Sequence, residues 1–540
     1  MTYYVVYVMF FIFNIVALII CFPLLLANSD FPPFQLSPTY SNVKNLDLVN
    51  YFKNNDLNRS DNFIISNCRD INQTRNELSK DDIAHLLRRT TFGARIEDIQ
   101  QAYELGLNST LNLLFTKNEK PIPEFNWIYH YHHPDFSQLS SAEKDSIRDQ
   151  YELNFIDLKF WWLELMKNSG INITEMMVLF WHDHFATSSE TVKFTPSMYV
   201  QNQLLRQFAT GNFKNLVKTM NYDPAMLEWL DNNQNYYIND GTFTFNENYA
   251  RELLELFTMG EGNYSQFDIE EATRSLTGIS SDGLMHSIFS PIRHDFGNKT
   301  ILDLTDDIGV DNLIDLIFER QEPALFLSRK LYQWFVYEIP DEIIVEQMAN
   351  IMVIHNYEIE PVLRALFASE HFYDINFRGS KYKNPVWFTL NTKHNLYIDI
   401  NNNMDYILWY NYLLGQSLFY PPDVSGWDGY RSWINTYTLP YRKAYSNQIV
   451  DGYDNIIPEW NYVINFVEKF SDPHNPVLLL NEMLEYFLAI QPSQQTKDLL
   501  LEELLDGSEV YDWYLYDPGS ESRIKTVIKH IMRLEEFQVR

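Results

Sequence analysis

The chain has 540 residues, of which 46% are hydrophobic and 16% aromatic, a folding composition that excludes a disordered protein. Its 72 acidic against 41 basic residues leave a formal net charge of −31, which excludes a nucleic-acid partner gripped by clustered Lys and Arg and disfavours an anionic membrane surface. The cysteines, Cys21 and Cys68, supply neither a disulfide framework nor a cysteine-based zinc site.

Residues 4–27 form an almost unbroken apolar run, long enough to span a bilayer and similar to a secretory signal. Export is expected, with residues 1–27 either cleaved near Ala27 or kept as a membrane tether. Residues 28–80 are rich in Asn, Asp and Ser and read as an irregular arm. Ser79 is placed to cap a helix over residues 83–89, which Phe92-Gly93 ends. A second helix is predicted over residues 96–105, stopped by Gly106, and a third through residues 111–114. Helical spacing returns at residues 311–318, 323–337, 361–367 and 483–488. Residues 288–300 read as extended, and residues 420–441 as a loop of Pro, Gly and aromatics. No sustained alternation demands a large sheet. The expected fold is mainly α: one large multi-helical domain over residues 81–540, with irregular loops and little β.

His, Asp, Glu, Arg and Asn are densest among apolar side chains in residues 176–260. The first motif there is Phe180-Trp181-His182-Asp183-His184-Phe185. His182 and His184 share a face if extended and lie about 200° apart if helical. Residues 175–181 read as helical, so the pair falls at or just beyond a helix end. Imidazole is the commonest metal-ligating side chain, which makes both histidines candidate ligands of a divalent ion. His294 and Asp295, or Asp231 and Glu247, would complete the three or four ligands that zinc needs. The plainer alternatives are one core and one surface histidine, and for His294-Asp295 a turn whose Asp caps the backbone.

The second motif runs from Asn246-Glu247-Asn248-Tyr249 to Phe257. On a wheel of about 100° per residue, Tyr249, Ala250, Leu253, Leu254 and Phe257 fall on one half. Glu247, Arg251, Glu252 and Glu255 fall on the other. That pattern predicts either a surface ion ladder Glu247–Arg251–Glu255 or a cleft wall with catalytic carboxylates. In the late loop, Trp427, Tyr430 and Trp433 serve as a platform for a sugar ring or as a lid on the core. A Gly-rich phosphate loop, a Gly-x-Ser-x-Gly elbow and a His-Glu-x-x-His helix are all absent from the sequence, which removes the usual support for those enzyme classes.

Several stretches in one order carry a family resemblance. They are His85-Leu86-Leu87-Arg88-Arg89-Thr90-Thr91-Phe92-Gly93, residues 179–188, Asp223-Pro224-Ala225-Met226-Leu227, residues 246–260, His294-Asp295 with Lys299, and Pro421-Pro422-Asp423-Val424-Ser425-Gly426-Trp427. Together they resemble DUF1800, a family of large exported bacterial proteins of unknown function, from His85 to the C-terminal region. Thr277-Gly278-Ile279 departs from the pattern, which expects Trp after the glycine and concerns a packing contact. The resemblance implies export, and joint use of the His182/His184, Glu247/Arg251 and His294/Asp295 segments. It implies no reaction.

Three functional readings follow. In the first, a metal-dependent hydrolase, His184 and His294 with Asp295 or Glu247 hold a divalent cation that activates water, and Arg251 stabilises developing negative charge. In the second, a non-catalytic protein assembles with a cell-envelope partner, and the charged motifs are structural ion networks. In the third, a carbohydrate-binding or carbohydrate-active protein stacks sugars on Trp427, Tyr430 and Trp433, with Glu247 and Glu252 as acid and base. Those two carboxylates lie about 140° apart on a helical wheel.

Overall fold

In the computed structural model of the chain, the described residues are 68–540 apart from 118–122, 124, 126, 128–138, 239–242, 283–284, 400–402, 454–456 and 458. The apolar run at 4–27, Cys21 and most of the arm lie outside them. The chain divides into units Met1–Ile64 and Ile65–Arg540, and every described residue belongs to the second.

As the apolar spacing predicts, the protein is mainly α, with 59% helix, 6% strand and 20 helices among the described residues. The first nine are α1 (Lys80–Thr90), α2 (Ile96–Leu114), α3 (Ser141–Lys167), α4 (Thr174–His184), α5 (Thr195–Gln207), α6 (Phe213–Met220), α7 (Pro224–Trp229), α8 (Asn248–Glu252) and α9 (Gln266–Ser275). Then follow α10 (Val310–Ile317), α11 (Glu322–Phe335), α12 (Glu342–Ile354), α13 (Ile359–Ala368), α14 (Pro385–Asn395) and α15 (Met404–Leu413). The last are α16 (Thr438–Asp451), α17 (Val463–Val467), α18 (Pro476–Phe487), α19 (Gln494–Leu505) and α20 (Ser520–Arg533). The strands make three antiparallel hairpins: β1 (Tyr236–Tyr237) with β2 (Phe243–Thr244), β3 (Ile279–Ser281) with β4 (Ser287–Phe289), and β5 (Lys299–Ile301) with β6 (Leu304–Asp306).

Ser79 caps α1 through a reciprocal pair: its hydroxyl accepts the Asp82 N–H at 3.1 Å while the Asp82 carboxylate accepts the Ser79 N–H at 3.0 Å. Asp82 is buried and also binds Arg75 and Arg378, which ties α1 to the arm before it and to the segment after α13. Arg89, fully buried, donates to the carbonyls of Val336 and Phe377 at 3.1 and 2.6 Å. The arginines of the His85–Gly93 stretch thus lock the start of the domain to its middle through Arg89 and to α18 through Arg88, which donates to the Glu485 and Tyr486 carbonyls. At Gly106 (φ +72) helical geometry lapses, but the chain resumes, so the two helices expected there form one kinked element, α2. Ile279, 1% exposed, fills the position where the family pattern expects tryptophan.

α4 is buried on nearly every side, as a helix apolar all round must be. Its one early charge, Glu175, is fully buried and satisfied by Arg206 of α5 at 2.8 and 2.9 Å and by the Trp162 indole N–H at 3.0 Å. That grip fixes the helix carrying the His-Asp-His motif. A separate core built on Phe388, Tyr445, Trp460, Phe466, Met483 and Ile528 holds α14 to α20 together.

Candidate functional site

α4 is helical through His184, so His182 and His184 stand on opposite sides and do not chelate one ion. His182 Nε2 accepts the Phe419 N–H at 3.0 Å, between the rings of Trp162 and Trp427. Burial pushes its pKa down to about 3, leaving a neutral ring with that lone pair engaged. His184 Nε2 faces the Phe257 carbonyl at 3.0 Å and therefore carries the proton and donates. Burial, then the Lys330 ammonium, holds its pKa well below the ordinary value. Phe257 lies in the last turn of a helix, where carbonyls lack an intrahelical donor, and His184 supplies one.

That helix changes type midway. α8 gives way at Leu253 to a π-helix over Leu253–Met259, so a wheel drawn at about 100° per residue fails there. Glu247 reaches Arg251 at 2.7 Å across the α-helical turn, and Gln266 bridges the two. Glu255, past the switch, accepts from the Tyr264 hydroxyl at 2.6 Å instead. The expected ladder stops after one rung. Arg251 and Gln266 hold the Glu247 carboxyl below its ordinary value, which suits a standing ion pair and not a proton donor. Burial and the nearby Glu255 raise that of Glu252.

His294 donates from Nδ1 to the Thr277 carbonyl at 2.8 Å, and burial lowers its pKa. Asp295 accepts from Arg274 at 2.7 Å and from the Gly297 N–H at 2.8 Å, so it closes a turn on itself. Against burial, these two partners hold its carboxyl low. Lys299 donates to the Asp295 carbonyl at 2.6 Å. The segment knits the hairpins to α9. His182, His184, His294 and Asp295 therefore do not share a coordination shell. Among the described residues, no three His, Cys, Asp or Glu side chains gather as metal ligands.

Within the motif, Phe180, Asp183 and His184 all border one cleft, and Asp183 is the least buried of the three. That cleft, of about 220 Å³, is also lined by Lys330 of α11, Glu338, Lys381, and the loop aromatics Trp427, Tyr430 and Trp433. Glu247, Arg251 and Glu252 are not on its wall. Asp183 Oδ1 accepts the Trp427 N–H at 2.9 Å. Gly426 (φ +87) makes this approach possible, because a Cβ there would lie 2.4 Å from Asp183 Oδ1 and 2.5 Å from the Asp183 carbonyl oxygen. Burial pushes the Asp183 carboxyl up to about 6, opposed by the Trp427 N–H and the Lys330 charge. Lys330, its ammonium 5.1 Å from the Phe326 ring centre, is itself lowered by burial. Glu338 pairs with Lys381 at 3.3 Å, and burial brings Lys381 down to about 8. The cleft thus holds a desolvated carboxyl, Asp183, and a second carboxylate, Glu338, paired with a cation.

Sequence reasoning singled out the three aromatics and passed over Asp183, although it stands between two flagged histidines. His184, which sequence reasoning did single out, borders the same cleft. No local pattern marks Lys330, Glu338 or Lys381.

No curated protein and no solved structure matches the chain. Residues 85–539 match the family described as a protein of unknown function (DUF1800), nearly the whole chain, and the chain belongs to that family.

Proposed function

We propose that this chain is an exported protein that takes a carbohydrate ring into the cleft and moves a proton to or from it through Asp183. The observation that carries this is the convergence of Asp183, its carboxyl lifted to about 6, with Trp427, Tyr430 and Trp433 on one 220 Å³ space. Aromatic faces suit the apolar C–H faces of a sugar, and the polar groups between them suit its hydroxyl rim. The volume lies below the roughly 300 Å³ at which drug-sized pockets begin, which fits a single ring. A carboxyl near neutrality both gives and takes a proton. Glu338, paired with Lys381, is the second carboxylate that glycoside chemistry uses, and it replaces Glu247 and Glu252 in that role. The apolar run at 4–27 supports export.

The test is retention on a panel of immobilised polysaccharides, with release of reducing ends as the turnover assay. Trp427→Ala should abolish retention. Asp183→Asn should keep retention and slow release by about 10²-fold or more. A parent protein that no polysaccharide retains, or a Trp427→Ala variant retained as well as the parent, would sink the proposal.

A further inference from the structure

A group of cations is packed where α1, α14 and α16 meet the last residues of the chain: Arg88, Lys383, Arg442 and Arg540. Lys383 is 2% exposed, and its ammonium lies 3.5 Å from the Phe537 ring centre and 5.1 Å from that of Trp387. The charged neighbours that act on it, Arg88, Arg442 and Arg540, are all positive. Arg442 is fully buried and donates one N–H to the Lys383 carbonyl at 2.7 Å. Its Nε and Nη1, and the Nε of Arg540, have no hydrogen-bond partner among the described residues, while the two guanidiniums lie over the Phe388 and Trp387 rings at 4.7 and 5.4 Å. Asp81 is the acidic side chain that acts on Arg88, and it is exposed.

Such a group does not fold at neutral pH without relief. A guanidinium keeps its proton in a protein, so the arginines stay charged. The ring faces relieve part of this, and beyond them either Lys383 becomes neutral or an anion enters. Beside Lys383 the fold leaves a space of about 10 Å³, walled by Arg88, Trp387, Asn391, Asn395 and Tyr486. Both ionic side chains on that wall are cationic. The space holds about one water-sized sphere, too little for phosphate or a carboxylate.

We propose that this cavity binds a single-atom anion of the halide class, held by Lys383 and Arg88, which fixes the C-terminal segment against α1 and α14. This binding does not rest on any reaction in the cleft, although Arg540 borders both regions.

The test compares thermal unfolding of the full chain in sodium gluconate, chloride and bromide at one ionic strength. Halide should raise the Tm by roughly 2 °C or more. Lys383→Met, which keeps the length and removes the charge, should lose most of that rise. Crystals grown in bromide should show an anomalous peak in the cavity beside Lys383 Nζ. Equal Tm in gluconate and bromide overturns the proposal, as does a halide effect with no peak in the cavity; the relief then lies in a neutral Lys383. Should Lys383→Met fail to fold, the parent's halide response and the bromide map decide the matter.

Discussion

Adding one methyl group at Gly426 should be far costlier than adding one three residues later. At φ +87, an L side chain pays roughly 1–2 kcal/mol for the left-handed backbone alone. The new Cβ would also meet Asp183 Oδ1 at 2.4 Å and the Asp183 carbonyl oxygen at 2.5 Å. The carboxylate can swing aside only by giving up the Trp427 N–H, and the carbonyl is held in the end of α4. Overpacking of this kind costs about 1–3 kcal/mol, so Gly426→Ala should lose about 2–5 kcal/mol in all. Gly429→Ala is the control: its φ is +66, but the nearest atom to its Cβ, the Trp427 carbonyl oxygen, is 3.7 Å away, an ordinary contact. It should lose only the backbone share. Urea unfolding of both variants, read at unchanged m, isolates the contact as their difference. Two variants within about 0.5 kcal/mol of each other would refute the close approach of the loop to Asp183, since substitutions away from such features stay inside that margin.

Asp183 also predicts a pH effect. The folded chain keeps this carboxyl protonated from the ordinary value of 3.8 up to about 6, so the native state binds more protons there and stability falls as pH rises through that window. Asp183→Asn should flatten the fall, gaining on the parent by at most about 3 kcal/mol, less what solvent at the cleft screens; parallel pH–stability curves would refute a desolvated carboxyl. Arg206→Met leaves Glu175 fully buried with only the Trp162 indole N–H, and chemical denaturation should show a loss of about 3–5 kcal/mol. A loss below about 1 kcal/mol, the scale of a surface pair, would be incompatible with that burial. His184→Ala orphans the Phe257 carbonyl and empties a ring-sized space, at about 2–4 kcal/mol. Elemental analysis should find the same metal content in variant and parent; metal that disappears with the ring would show that His184 is a ligand and not a cap.

Helix starts were legible because a cap needs only residues three apart, as Ser79 and Asp82 show. The overall α character was legible for a similar reason, since apolar spacing is a local property. The Glu247 motif shows where that logic ends. Its wheel holds to Arg251 and fails at Leu253, because the polar and apolar order does not announce a π turn. The histidines stood out by residue type, yet their roles are set by partners 237 and 73 positions away, Phe419 and Phe257. Trp427, Tyr430 and Trp433 were visible as aromatics in a loop. Lys330 sits in an ordinary amphipathic helix, and Glu338 and Lys381 in irregular chain, so only tertiary packing brings them to Asp183.

Trp427 gives its main-chain N–H to Asp183 and itself borders the cleft. Occupancy and acidity therefore pass through one residue. On the proposed reading, a guest that lengthened this bond would raise the Asp183 carboxyl further, and proton uptake would accompany binding. By reciprocity, protonation would favour occupancy. A guest in the cleft would then bind more tightly on the acid side of pH 6 and less tightly on the alkaline side.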